Sequence, residues 1–152
     1  MFAGMQIPLP TLVDQNRPDL VAAIASMPCS RLFGLSVVGL GEGVSVIELP
    51  IRTDLTFDGR TVQGGIVGTL ADYAAVSAAT AASPAGWGSS TTAFQVYNLA
   101  PARGERLVGI GRLVKGGRSQ AVAAADVYAI VGADAELVAT ALATCKLMAP
   151  IA

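Results

Sequence analysis

Apolar and polar positions divide the chain into a short helix, two strands, one long helix and four more strands. Residues 17–26, RPDLVAAIAS, predict the short helix: Pro18 suits a first turn, and Met27-Pro28 ends it. Residues 33–38 and 44–51 alternate or run apolar with β-branched side chains, and Gly39, Gly41 and Gly43 between them read as a hairpin. Residues 52–59 are a polar connection. Residues 64–82 predict the long helix, rich in alanine and stopped by Ser83-Pro84. It is apolar nearly all round and belongs in a core. Strands follow at 90–99, 106–114, 119–131 and 136–148, and the KGGR separator has the paired glycines of a tight hairpin. One buried helix followed by a meander predicts an α+β chain, an antiparallel sheet wrapped around one long central helix, with a short N-terminal helix.

Composition narrows what such a chain does. Its 152 residues predict one domain, 1–152, with an N-terminal helical extension at 1–30 and the core at 31–149. Hydrophobic residues make up 53% and charged residues 14%, so little polar coating that part of the surface is expected to be covered by another subunit. No stretch is continuous enough for a membrane span, and the N-terminus lacks the basic start and apolar middle of a signal peptide. The expectation is a cytoplasmic protein that uses neither membrane nor nucleic acid, the net charge being −1. Cys29 and Cys145 match no metal spacing and are expected to be free buried thiols. There is no histidine, which excludes Ser-His-Asp and Cys-His catalysis, histidine-dependent dehydratases and histidine metal sites. No metal and no cofactor are expected. Acid–base chemistry falls to carboxylates, lysine, tyrosine or water.

Between Arg60 and Arg103 the only charged residue is Asp72, in the middle of the long helix. A buried carboxylate is costly unless paired or protonated, and such groups concentrate at functional sites, though structural ion pairs hold them too. Gly64 and Gly65 open the same helix and leave bare N–H groups at its positive end. That end suits a polarised carbonyl or developing oxyanion, and equally suits close packing of helix on sheet. Tyr73 reads as a pocket wall or as core, and Trp87 as an acyl-pocket residue or a loop plug.

The run VQGGIVGTLADYAAVSAA resembles the core motif of the hotdog-fold acyl-CoA thioesterases, in the phenylacetate-degradation (PaaI-like) branch of the 4-hydroxybenzoyl-CoA thioesterase superfamily. Gly64, Gly65, Leu70, Ala71 and Asp72 fit that motif, and the likeness extends over residues 33–148 through TTAFQVYNLAPARGERLVGIGRLVKGGRSQAVAAADVY. The resemblance implies a hotdog fold and hydrolysis of a small, aryl or medium-chain acyl-CoA, with CoA as part of the substrate. It makes Asp72 the general base or nucleophile and the Gly64 N–H the group that polarises the thioester carbonyl. Thr91, with Thr92 beside it, falls where a Ser or Thr orients water. Gly65 and Tyr73 flank these residues on the substrate side, and Lys115 and Arg118 fall on a basic hairpin that contacts CoA phosphates in some relatives. The family's usual His is Gln63 here, which keeps hydrogen-bonding capacity without titrating, and its usual Asn is Phe57, beside Asp58.

Asp72 lies eight residues after Gly64, about 12 Å along a helix axis. One chain therefore cannot place both groups on one thioester, whereas two antiparallel helices from two subunits can. The expectation is a homodimer, or a dimer of dimers (a homotetramer), with sites at the subunit interface. Five of the ten basic residues, Arg103, Arg106, Arg112, Lys115 and Arg118, fall within sixteen positions, an available phosphate site or an ordinary solvated hairpin. The competing function is a non-catalytic acyl-CoA-binding module, which would not need Asp72.

Overall fold

A computed structural model of the chain describes residues 17–152; the part of the N-terminal extension before Arg17 lies outside them. The elements run α1 (Pro18–Ser26), α2 (Pro28–Phe33), β1 (Ser36–Gly41), β2 (Val44–Pro50), a 3-10 turn (Thr53–Leu55), α3 (Gly64–Ala81), β3 (Gly88–Asn98), β4 (Arg106–Gly116), β5 (Gln120–Val131) and β6 (Asp134–Met148). The six strands form one antiparallel sheet in the order β1-β2-β4-β5-β6-β3. The sheet curls around α3, as the apolar pattern predicts, and the fold is the hotdog fold.

Small side chains bring helix and sheet together. Ala71, Ala74, Ala75 and Ala79 of α3 pack with Ala121, Ala123, Ala125, Ala139, Ala141 and Ala143 of β5 and β6 in one buried cluster. Bulkier Leu70, Ile47, Leu49, Leu107 and Val138 fill the space on either side and are fully buried. The closest approach is on β4. A Cβ on Gly111 would overlap the Ala74 carbonyl oxygen, and one on Gly109 would lie 3.1 Å from Leu70. The Ser45 hydroxyl donates to the same Ala74 carbonyl. Only glycine lets the helix sit this deep, and the seat fixes which face of α3 turns from the sheet. That face carries Ile66, Thr69, Asp72, Tyr73 and Val76, all half-buried.

Three details differ from the sequence pattern. Pro28 both ends α1 and opens a second short helix, α2, as its first-turn proline. Gly39 and Gly41 lie inside β1, and the turn itself is Glu42-Gly43, both at positive φ (50° and 77°), the geometry a two-residue hairpin requires. The expectation of two buried thiols holds for Cys145 but not for Cys29, which is exposed on α2.

The N-terminal helix is tied to the far end of α3. Arg17, 4% exposed, donates from Nη1 to the carbonyls of Thr80 and Ser83, 2.8 Å each. The Thr80 carbonyl, in the last turn of α3, also accepts from the Ser83 N–H and hydroxyl, and the Ser83 carbonyl lies just past the helix end. Arg17 also forms a two-point pair with Asp19 at 2.9 and 3.0 Å, and Asp19 accepts the Gly86 N–H at 3.1 Å. The Arg17 guanidinium, with the Gly86 N–H, holds the Asp19 carboxyl well below the usual carboxylate range.

Candidate active site

β3 is an edge strand, paired only with β6 among the described residues, and it lies along the uncovered face of α3. Its ladder with β6 slips by one residue between Thr91 and Ala93. The slip keeps Ser89 and Thr91 on the helix side together with Phe94, Val96 and Asn98. Thr80 Oγ1 and Ser89 Oγ are 2.6 Å apart, Phe94 and Val96 lie against Gly68, and Asn98 lies against Gly64.

Asp72 meets Thr91 at one end of this contact. Thr91 Oγ1 donates to the carboxylate, 3.0 Å from Oδ1 and 3.3 Å from Oδ2. Burial raises the Asp72 carboxyl above the ordinary value, and the Thr91 hydroxyl opposes that rise. No cation among the described residues is paired with it. This environment suits a base: a carboxylate partly stripped of water, held by one donor, with one side open. Asp72 and Thr91 line a cavity of about 260 Å³ with Tyr73, Val76, Ser77 and Thr80. Tyr73 is both wall and core: its hydroxyl meets Cys29 Sγ at 2.7 Å and accepts from Ser30 Oγ at 3.0 Å. Burial raises its pKa, and Cys29 adds to the rise.

The other end of α3 presents donors. Gln63 caps the helix, its Oε1 accepting from the N–H groups of Gly65 (2.7 Å) and Ile66 (3.2 Å). The Gln63 backbone carbonyl takes the Ile66 and Val67 N–H groups. The Gly64 N–H is left without a partner among the described residues. Because Oε1 is committed to the cap, the Gln63 Nε2 beside it is a donor with no partner among the described residues. A Cβ on Gly64 would lie 3.2 Å from Asn98 Nδ2. Gly64, Asn98, Phe57 and Arg103 line a second cavity, of about 280 Å³. Phe57 is 70% exposed there. Asp58, next to it, is occupied: its carboxylate accepts from the Thr61 and Arg60 N–H groups and the Thr61 hydroxyl, which lower its pKa to about 2.

The structure thus joins Asp72, Thr91 and Tyr73 at one place and Gly64, Gly65, Gln63 and Phe57 at another. Thr92 sits at the slip, its hydroxyl turned to the Thr144 carbonyl (3.1 Å) and away from Asp72. Lys115 and Arg118 are exposed on the β4–β5 hairpin, toward the C-terminal end of α3. There Arg118 and Trp87 share a third cavity, of about 400 Å³. Sequence reasoning missed Asn98 and the α1–α2 residues over the Asp72 cavity. No local signal marks Asn98, since only the strand's return path brings it to Gly64.

No protein-family profile and no curated protein matches the chain. Solved structures do. A thioesterase family protein from Silicibacter pomeroyi superposes with a TM-score of 0.81 at 29% identity, covering 86% of this chain and 96% of that one. A phenylacetic acid degradation-related protein from Ralstonia eutropha JMP134 gives 0.71 at 24% identity, over 84% and 98%. The PaaI protein of the E. coli phenylacetic acid degradation operon gives 0.72 at 18% identity, over 85% and 90%; these two matches show the fold alone. The resemblance to the thioesterase superfamily read from the Gly64–Asp72 motif is thus repeated across nearly the whole described chain. Among the described residues no helix is long and apolar enough to cross a membrane.

Proposed function

We propose that the protein is an acyl-CoA thioesterase, acting as a homodimer or dimer of dimers with each active site shared between two subunits. Asp72 takes a proton from water as the water oxygen attacks the thioester carbon. The Gly64 N–H and Gln63 Nε2 of the other subunit hold the carbonyl oxygen as it becomes an oxyanion. The carbon–sulfur bond then breaks, the proton passes from Asp72 to the departing sulfur, and a carboxylic acid and CoA are released. Thr91 holds the Asp72 carboxylate in place, and Lys115, Arg118 and Thr92 are assigned to the CoA-binding surface.

The observation that carries this reading is the layout of β3. Thr91, touching Asp72, and Asn98, touching Gly64, sit near opposite ends of a long strand whose outer edge has no strand partner among the described residues. Such an edge is a template for pairing. Two copies pairing antiparallel about a twofold axis at Gln95 put Phe94 opposite the other copy's Val96. Allowing for the slip at Thr92, the same register puts Thr91 opposite the other copy's Asn98. One subunit's base then faces the other's donors, which the 12 Å axial separation forbids within a single chain.

The test is a hydrolysis screen over short, medium, long and aryl acyl-CoAs, following free thiol, with wild type and Asp72→Asn side by side. Thiol release by the wild type alone is the expected result. Acyl-CoA binding without release by either would instead make the protein a non-catalytic acyl-CoA-binding module.

A further inference from the structure

The Asp72 cavity has a roof that the reaction scheme does not use. Leu20 and Ile24 of α1 and Met27, between α1 and α2, close it on the side away from the sheet. Ile24 is 3% exposed and Leu20 packs beside it. The floor opposite Asp72 is the Thr80–Ser89 pair. Thr80 Oγ1 donates to the Val76 carbonyl at 2.7 Å, so the Ser89 hydroxyl supplies the hydrogen between the two oxygens. The cavity therefore has a reactive end, a closed end and an apolar lid, and at about 260 Å³ it is smaller than the pockets that hold drug-sized ligands. At roughly 30 Å³ per water-sized group, it holds about nine such groups.

We propose that this cavity receives the acyl group and that Leu20, Ile24 and Met27 set the length of chain it accepts. The proposal rests on the thioesterase reading above and deepens it by assigning acyl selection to the N-terminal helices rather than to the hotdog core. The lid is held at a fixed height because Arg17 fastens α1 to the carbonyl of Thr80, at the cavity floor, and to that of Ser83 just past it. The occupant is an unbranched or compact acyl group short enough to end at the Thr80–Ser89 pair, its thioester carbon beside Asp72. Apolar burial under Leu20 and Ile24 favours a hydrocarbon tail, and discrimination between tails differing by a methylene is on the order of tenfold or more.

The test separates binding from turnover. Graded S-alkyl thioethers of CoA, which cannot be hydrolysed, are titrated by calorimetry into wild type, Ile24→Ala and Met27→Phe. Ile24→Ala is expected to move the best-bound length upward, with tails beyond the wild-type optimum gaining about tenfold in affinity. Met27→Phe is expected to move it downward by a comparable factor. The Met27 position is 39% exposed, so this variant carries the test even if Ile24→Ala folds poorly. An unchanged optimum in Met27→Phe, or no thioether binding at all, overturns the proposal. The thioesterase reading fails separately, on absence of thiol release by the wild type.

Discussion

The Thr91 hydroxyl reaches across 19 positions of chain to bond the Asp72 carboxylate, 3.0 Å from Oδ1. It is the only side-chain hydrogen bond to that group among the described residues, and it opposes the upward push of burial on the Asp72 pKa. Removing it should let that push act alone. Thr91→Val is therefore expected to move the acidic limb of the pH–activity curve to higher pH and to lower turnover, while Thr91→Ser restores the wild-type limb. Initial rates across pH for the three proteins check this; an unmoved limb in Thr91→Val would mean the bond does not tune Asp72.

Asp72→Asn should lose hydrolysis by roughly a hundredfold or more, the usual contribution of a general base. The same change should stabilise the fold at neutral pH. A carboxyl whose folded pKa is raised favours the folded state when protonated, fully so below its unfolded value near 3.8, and that contribution is lost as pH rises through the folded pKa. Asn mimics the protonated form at every pH. Thermal unfolding should thus show Asp72→Asn above wild type at pH 7, with the gap closing as pH falls below the unfolded value.

Gln63 combines a cap and a donor, and a single substitution separates them. Gln63→Glu keeps an acceptor for the Gly65 and Ile66 N–H groups and adds a favourable anion at the helix start, about 0.3–1 kcal/mol. It removes the Nε2 donor and places negative charge where an oxyanion develops. Unchanged or raised melting temperature with a loss of about a hundredfold in kcat/KM is the expected pair of results. If activity survives, Gln63 is a cap only.

The register about Gln95 is open to a covalent check. Gln95→Cys places one thiol on the proposed axis, opposite its own copy. Mild oxidation should yield a covalent dimer on a non-reducing gel that retains activity. The same treatment of wild type, with exposed Cys29 and buried Cys145, serves as control. Failure of Gln95→Cys to cross-link beyond that control would rule out this register.

Arg17→Ala should destabilise the protein by about 1–3 kcal/mol, because the part-buried Ser83 carbonyl loses a charged donor and the Thr80 carbonyl keeps only the donors of Ser83. Chemical denaturation measures it. A change below about 0.5 kcal/mol would mean that α1 is not fastened there.

Much of this site is visible in the chain itself. Asp72 stands out because its neighbours are apolar for a whole helix, and helix periodicity alone gives its distance from Gly64. The hidden parts are those made by return of the chain. Asn98 reaches Gly64 only because β3 runs back along α3, and the one-residue slip at Thr92 decides which of its side chains face inward. Arg17 reads as the ordinary first residue of a short helix, since its acceptors lie 63 and 66 positions away. Pro28 was legible as a stop but not as a start, because the same fixed φ serves both. Exposure of Cys29 follows from α2, which a stop at Pro28 conceals.

The glycine seat on β4 has a consequence on the opposite side of the helix. A side chain on a cylinder is aimed by the cylinder's roll. At about 5–6 Å from the axis, a roll of some 20° swings a carboxylate by about 2 Å. Misplacement of 1 Å can cost about a hundredfold in rate. Gly109 and Gly111 therefore act as an angular stop for Asp72, although neither comes near it. A methyl group added at Gly111 would push on the Ala74 carbonyl and turn the carboxylate off its target, so damage under the sheet would register as a catalytic defect on the far side of the helix.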